Sequence, residues 1–228
     1  MAVSVISLWM PLPIGAGSRR TVVRVPDELP SSQEPVVPHI SLGNDESGIR
    51  SLFMYRPETA GPLCLLAEVL LRGPSTLSRG ERELIATYVS SRNDCSYCTA
   101  SHAASASAQL PEGMTLVDQV RAGPQTAPVT PKLAALLQIA AAVQESGKAV
   151  RDEDVAAARE AGATDLEIHD TVLIAAAFCM YNRYVDGLAT TVRPDATAYA
   201  AAAQRVVNDG YLALVGQSAA RPHAAQES

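Results

Sequence analysis

Apolar residues are spaced differently in the two ends of the chain. Up to about residue 45 they keep no sustained period. Six prolines and several Gly, Ser and Asp residues interrupt them, which predicts an irregular, Pro-rich arm over residues 1–45 that packs on a helical body or a partner subunit. From Pro57 the spacing turns helical: Leu63, Leu66 and Leu70 repeat at three and four before Gly73-Pro74 stops the run. The next helix opens at Ser78, placed to cap it while Glu81 reaches back, an S-x-x-E capping box. It runs to about Arg92, with Leu84, Ile85, Tyr88 and Val89 as its core stripe. Glu83 falls opposite, among the small residues Ala86, Thr87 and Ser90, which admit another helix closely. Asn93-Asp94 breaks the pattern, and Asp94 is the expected N-cap of a third helix from Cys95 to about Ala108. Beyond a Pro-rich link from about Pro111 to Pro131, helices are predicted at about 131–146, 152–161, 165–186 and 194–209. Gly147, Gly162, Gly187 and Gly210 serve as their stops. The helical domain is thus expected over residues 46–212, with a flexible tail over 213–228.

Composition sharpens this. Of 228 residues, 47% are hydrophobic but only 4% aromatic; alanine supplies much of the apolar content and β-branched runs are short, so the expected fold is all-α. The formal net charge of -6, with no cluster of Lys and Arg, argues against a nucleic-acid partner. The opening run MAVSVISLWMPLPIGAG is apolar, yet it has no basic leader and is broken by Pro11 and Pro13. No signal peptide or membrane span is expected there, and the expected location is cytosolic.

The candidate chemistry lies in ELIATYVSSRNDCSYCTASH, residues 83–102. Cys95 and Cys98 are three apart and His102 lies four further on. At ~100° per residue their side chains fall within about 60° of one helix face. A thiol attacks peroxide or disulfide as the thiolate, and a cysteine of pKa ~8.5 is only about 3% ionised at pH 7. Three features favour ionisation here: a helix N-terminus, His102 as proton acceptor, and Glu83 as a carboxylate to orient the imidazole. A sulfenic acid formed on one sulfur can then be captured by the other, giving a recyclable disulfide without metal or flavin.

Each residue alone has a plainer reading. Glu83 pairs with Arg79 one turn earlier on a solvated face; His102 is a satisfied interior or surface histidine; the CxxC pair with His102 is part of a zinc site, although zinc needs four ligands and the other cysteines are distant. Cys64 and Cys179, in apolar stretches, are expected to be buried packing residues. The combined spacing favours the redox reading. There is also a faint internal echo. Glu167 precedes Cys179 by the interval that separates Glu83 from Cys95, and Asn182 and Asp186 fall where Cys98 and His102 would. It suggests two related helical halves, the second having lost its chemistry. Against that, Ser78 lies five residues before Glu83 whereas Thr164 lies three before Glu167, and both readings stay open.

The pattern E-x11-C-x2-C-x3-H, as Glu83, Cys95, Cys98 and His102, resembles the active-site signature of the alkyl hydroperoxidase D (AhpD)-like, carboxymuconolactone decarboxylase superfamily. The segments RPETAGPL, LLRGPSTLSRGERELIATYVS, RNDCSYCTASH and YNRYVDGLAT resemble, in order, those of its peroxidase-related branch, across roughly residues 50–210. The resemblance implies an AhpD-like all-helical bundle that assembles as a homo-oligomer and reduces hydroperoxides, without a cofactor, at the expense of an external dithiol or thiol protein. It implies Cys98 as the peroxidatic thiol, Cys95 as the resolving thiol, and Glu83 with His102 as the proton relay. In some members a histidine precedes the second cysteine; here Tyr97 stands there, whose phenol is still a hydrogen-bond donor. The alternatives are a general thiol-disulfide oxidoreductase, and a non-enzymatic helical oligomer whose CxxC is vestigial or holds zinc. Lactone decarboxylation is least favoured, because members with that activity do not generally carry the cysteine pair.

Overall fold

A computed structural model of the chain describes residues 37–193 and 195–215. Most of the expected arm, including the apolar opening run, and the tail from residue 216 lie outside the described residues. Nine α-helices stand among those described: α1 (Ile49–Tyr55), α2 (Pro57–Arg72), α3 (Arg79–Arg92), α4 (Ser96–Ser107), α5 (Gly113–Ala122), α6 (Pro131–Glu145), α7 (Asp152–Glu160), α8 (Asp165–Gly187) and α9 (Ala196–Asp209), with a 3-10 turn at Gly147–Ala149. No strand occurs among the described residues, so the fold is an all-α bundle. No helix among them is long and apolar enough to cross a membrane.

The bundle is organised around α3. Its capping box forms as the sequence predicts, the Ser78 hydroxyl accepting from the Glu81 amide while the Glu81 carboxylate accepts from the Ser78 amide. The expected stripe of Leu84, Ile85, Tyr88 and Val89 is buried, and burial extends to the opposite face. Every residue from Arg82 to Ser90 is buried, because α2, α4, α5, α6 and α8 all pack on this helix. The small residues beside Glu83 permit that enclosure. Leu84, Ile85, Leu136, Leu137, Ile139, Ile174 and Phe178 are fully buried in the resulting core, each contributing on the order of 1.5–3 kcal/mol. The α2–α3 corner is closed by Arg82, whose buried guanidinium donates to the carbonyls of Leu70 and Gly73, both at 3.0 Å.

Two helices were not legible in the periodicity. α1 is seven residues long, and α5 lies inside the stretch expected to be a Pro-rich link, burying Leu116, Val117 and Val120. Both are too short to establish a period between their flanking prolines and glycines. Gly187 ends the last turn of α8 rather than following it. The two stretches related by the sequence echo differ in shape: α8 is one unbroken helix, whereas α3 and α4 are separated by a turn at residues 93–95.

A buried carboxylate ties α8 to α6 and to the loop before α3. Glu167, 1% exposed, accepts from Lys132 Nζ at 2.7 Å, Thr76 Oγ1 at 2.8 Å and the Thr164 amide at 2.8 Å. Burial alone pushes its carboxyl up, but the Lys132 ammonium and the threonine donors outweigh burial and hold it at about 2. A folded-state pKa below the unfolded value contributes stability that is present above about pH 4.3 and lost as pH falls toward 2. Denaturant unfolding measured from pH 7 to 2.5 is therefore expected to show the native chain losing about 2 kcal/mol from this group. Glu167→Gln should be less stable by a similar amount at pH 7 and lose less across that window; an equal loss in both proteins contradicts the assignment.

Candidate active site

The two cysteines are placed by the turn that ends α3. The Cys95 amide donates to Ser90 O at 3.1 Å and the Asp94 amide to Ser91 O at 3.2 Å, the paired bonds of a Schellman motif with Asp94 in the left-handed region at φ 55°. Asp94 is therefore not the N-cap of α4, as its residue type suggested. It is spent on terminating α3, where Asp tolerates the left-handed conformation better than most residues, and Cys95 takes the N-cap position itself. Cys98 sits in the first turn of α4, where the exposed amides favour a negative charge.

This placement separates the two sulfurs. Cys98 and His102 line a cavity of about 100 Å³, with Ser101 and Ser105 on the same face of α4. Cys95 does not line it; it is fully buried behind Cys98, among Tyr97, Val185 and Asp186. One helix face thus presents Cys98 and His102 as expected, while Cys95, lacking helical dihedrals, is turned to the rear. Both are free thiols, neighbours in one buried cluster. The adjacent Cys95 thiol, the field of His102 and the Asn182 amide hold Cys98 below the ordinary cysteine range, against burial and the Asp186 carboxylate. Cys95, beside Cys98 and buried, is pushed far above it. Asp186 is pushed up by burial and opposed by its contact with Cys95.

Glu83 is 1% exposed, and the plainer pairing with Arg79 is not what it makes. Its Oε2 lies 2.7 Å from His102 Nδ1 and its Oε1 accepts from the Tyr211 hydroxyl at 2.6 Å. With Nδ1–H directed at a carboxylate, the neutral imidazole keeps Nε2 as its acceptor. The ring is fixed edge-on to Phe178 at 4.5 Å and stacked against Tyr211. Tyr211 is delivered by Gly210, whose φ of +81° turns the chain back after α9; a Cβ there would lie 2.6 Å from Glu68 Oε2. The same Glu68 oxygen accepts the Tyr211 amide at 2.7 Å. The phenol is buried beside Glu83, and both effects raise its pKa, so it remains a donor.

Tyr97 is buried in the cavity wall, its ring 6.0 Å from that of Tyr199. Gly48, at φ +56°, packs so tightly on it that a Cβ would approach the ring to 2.2 Å. No hydrogen bond links Tyr97 to Glu83 or His102 among the described residues. Cys64 and Cys179 are buried. Cys64 lies in the cavity wall with its thiol pushed up to about 11 by burial, and Cys179 accepts from Asn93 Nδ2 at 3.6 Å. No group of three or more His, Cys, Asp or Glu side chains among the described residues is arranged to hold a metal ion.

Reasoning from sequence missed Tyr211, Asn182 and Asp186 as members of the site. Asn182 and Asp186 were visible only as the echo of Cys98 and His102; in the fold they converge on the cysteine pair, Asn182 also receiving Asn93 Nδ2 at 2.8 Å and donating to Ser90 Oγ at 3.1 Å. Tyr211 carried one signal, an aromatic residue directly after a helix-stopping glycine in an aromatic-poor chain.

Comparison with known proteins agrees with this geometry. The model of the carboxymuconolactone decarboxylase family matches residues 57–110, the stretch from α2 through α4 that holds Glu83, both cysteines and His102. An uncharacterized peroxidase-related protein from Silicibacter sp. TM1040 superposes with a TM-score of 0.60 at 26% identity, over 67% of this chain and 78% of that one. A second structure, described as an alkylhydroperoxidase AhpD core and an uncharacterized peroxidase-related protein from Ralstonia eutropha JMP134, gives 0.59 at 28% identity, over 65% and 76%. No curated protein matches the chain. The chain is thus similar, over residues 57–110, to the carboxymuconolactone decarboxylase family and, over about two thirds of its length, to all-helical proteins described as peroxidase-related.

Proposed function

We propose that the chain is a cofactor-free thiol peroxidase that reduces organic hydroperoxides through Cys98 and Cys95. The observation that carries this reading is the division of labour between the sulfurs. Cys98 lines the cavity, and its surroundings lower its pKa, whereas Cys95 is fully buried next to it in the same cluster with its pKa raised.

The reaction follows from these positions. Cys98 gives its proton to His102 Nε2, and the imidazolium is stabilised by Glu83 across the 2.7 Å contact. The thiolate attacks the terminal peroxide oxygen, the O–O bond breaks, and the alkoxide leaves as alcohol with the proton held by His102. Cys98 is then a sulfenic acid. Cys95 loses its proton to Asp186, its buried neighbour, and attacks the Cys98 sulfur; hydroxide leaves as water, and the disulfide closes. An external dithiol reduces that disulfide and is itself oxidised. The sum is one hydroperoxide and one dithiol consumed, one alcohol, one water and one oxidised dithiol formed. Tyr211 acts as a positioning residue, holding Glu83 against His102 through a charge-assisted bond.

Burial of both sulfurs, at 0% and 4% exposure, supports hydroperoxides that can enter the cavity over protein disulfides as substrates. The test is turnover of cumene hydroperoxide with a dithiol donor. Cys98→Ser should fall to the uncatalysed rate, and Cys95→Ser should complete one turnover and leave a Cys98 sulfenic acid trapped by dimedone. Peroxide consumption by Cys98→Ser at the native rate contradicts the role.

Two further outcomes follow from the hydrogen bonds. Because the Cys95 thiol is the foremost cause of Cys98's acidity, Cys95→Ala should move the midpoint of Cys98 alkylation by iodoacetamide to higher pH; no movement contradicts it. Tyr211→Phe removes a hydrogen bond to a buried carboxylate, and kcat/KM for hydroperoxide should fall about tenfold with the pH profile of the rate displaced. A loss of stability with kcat/KM and pH profile unchanged would reduce Tyr211 to packing.

A further inference from the structure

The cavity that reaches Cys98 is not closed at its far end. Its inner wall is apolar, formed by Phe53, Leu63, Ala67, Phe178 and Val206. It then shares Arg50, Tyr97, Ser101, Tyr199, Ala202 and Arg205 with a second cavity of about 170 Å³, which adds Arg193, Glu46 and Ser47. The route from the surface to the thiol is therefore cationic outside and apolar inside.

Among the described residues, the charge in the outer cavity is unbalanced. Three guanidiniums face one carboxylate: Glu46 takes Arg50 Nε at 3.1 Å and Arg193 Nη2 at 3.4 Å, while Arg205 has no ion pair among the described residues. A net positive recess is unusual for a chain of formal charge -6. A second, independent feature lies in the shared wall. The hydroxyl of Tyr199 is buried, with the Arg193 amide beside its oxygen and no acceptor for its own proton, and a buried donor without a partner costs about 1–3 kcal/mol unless something fills the place.

We propose that this double cavity binds the carboxylate of an acidic organic hydroperoxide, of the peroxidised fatty acid class, with the carboxylate at Arg205 and Arg193 and the apolar chain leading its hydroperoxide to Cys98. Neutral hydroperoxides fill only the inner half. The Tyr199 hydroxyl supplies a donor to the bound oxygen, and Arg205, being exposed, acts through a salt-sensitive attraction. This assignment relies on the peroxidase reading for what is reduced, but not for what is bound.

The experiment compares linoleic acid hydroperoxide with its methyl ester, both below their micellar threshold, as substrates of the full chain with a dithiol donor. The native protein should show kcat/KM about tenfold higher for the acid at low ionic strength, an advantage that shrinks with added salt. In Arg205→Gln the acid-to-ester ratio should fall toward one, and in Arg205→Lys it should be largely retained. A native ratio of one or below, or a ratio untouched in Arg205→Gln, overturns the proposal. Should the native chain reduce neither hydroperoxide, the peroxidase reading fails while binding still decides this one. The matching hydroxy acid and its methyl ester are then titrated calorimetrically into both proteins. Preference for the acid, lost about tenfold in Arg205→Gln, upholds the carboxylate site, and equal binding of the two overturns it.

Discussion

A carboxylate sealed inside a helical bundle must find hydrogen-bond donors, and the way Glu83 finds them organises the rest of the site. Leaving it unpaired would cost several kcal/mol. It draws the imidazole of His102 from α4 and the phenol of Tyr211 from the turn after α9, so three separate parts of the chain meet at one side chain. Two donors on one carboxylate fix the imidazole's tautomer and tilt, which is what a proton acceptor beside a thiol requires.

The second organising feature is the asymmetry of the cysteine pair, and it originates in how α3 stops. A Schellman turn spends Asp94 on a left-handed residue and leaves Cys95 at a non-helical position. One sulfur therefore points to the rear and the other follows the helix face into the cavity. Equivalent positions on a continuous helix, as in α8, give no such division. The interaction between the neighbouring sulfurs then drives their acidities apart, raising Cys95 and lowering Cys98. A pair in contact before reaction also closes a disulfide with little rearrangement, which shortens the life of a sulfenic acid open to further oxidation.

Local signals carried much of this. The capping box at Ser78 and Glu81, the break at Asn93-Asp94, the long helices ending at glycines and the E-C-C-H spacing are all near-neighbour patterns, and near-neighbour patterns are what periodicity reads. The readings that failed are those requiring knowledge of distant neighbours. Glu83 was legible as the partner of His102, and its small neighbours announced a close helix, but nothing local reveals that the C-terminal turn also covers it. Asn182 and Asp186 looked like the remnants of a lost site, since their distance in sequence from the cysteines hides that α8 lays them against the pair. Tyr211 is 128 residues from Glu83, and its placement depends on one left-handed glycine. Asp94 is the instructive local failure: its residue type suits both an N-cap and a left-handed helix terminus, and the geometry of the preceding helix decided between them.

The most direct measurement of the central claim is the covalent state of the sulfurs after one equivalent of cumene hydroperoxide is added to the reduced protein, read by intact mass and peptide mapping. The account predicts a loss of two hydrogens, confined to a disulfide between Cys95 and Cys98, with Cys64 and Cys179 still alkylatable after denaturation. A protein that leaves both sulfurs reduced, or that accumulates oxygen on Cys98 while Cys95 stays a free thiol, would contradict it.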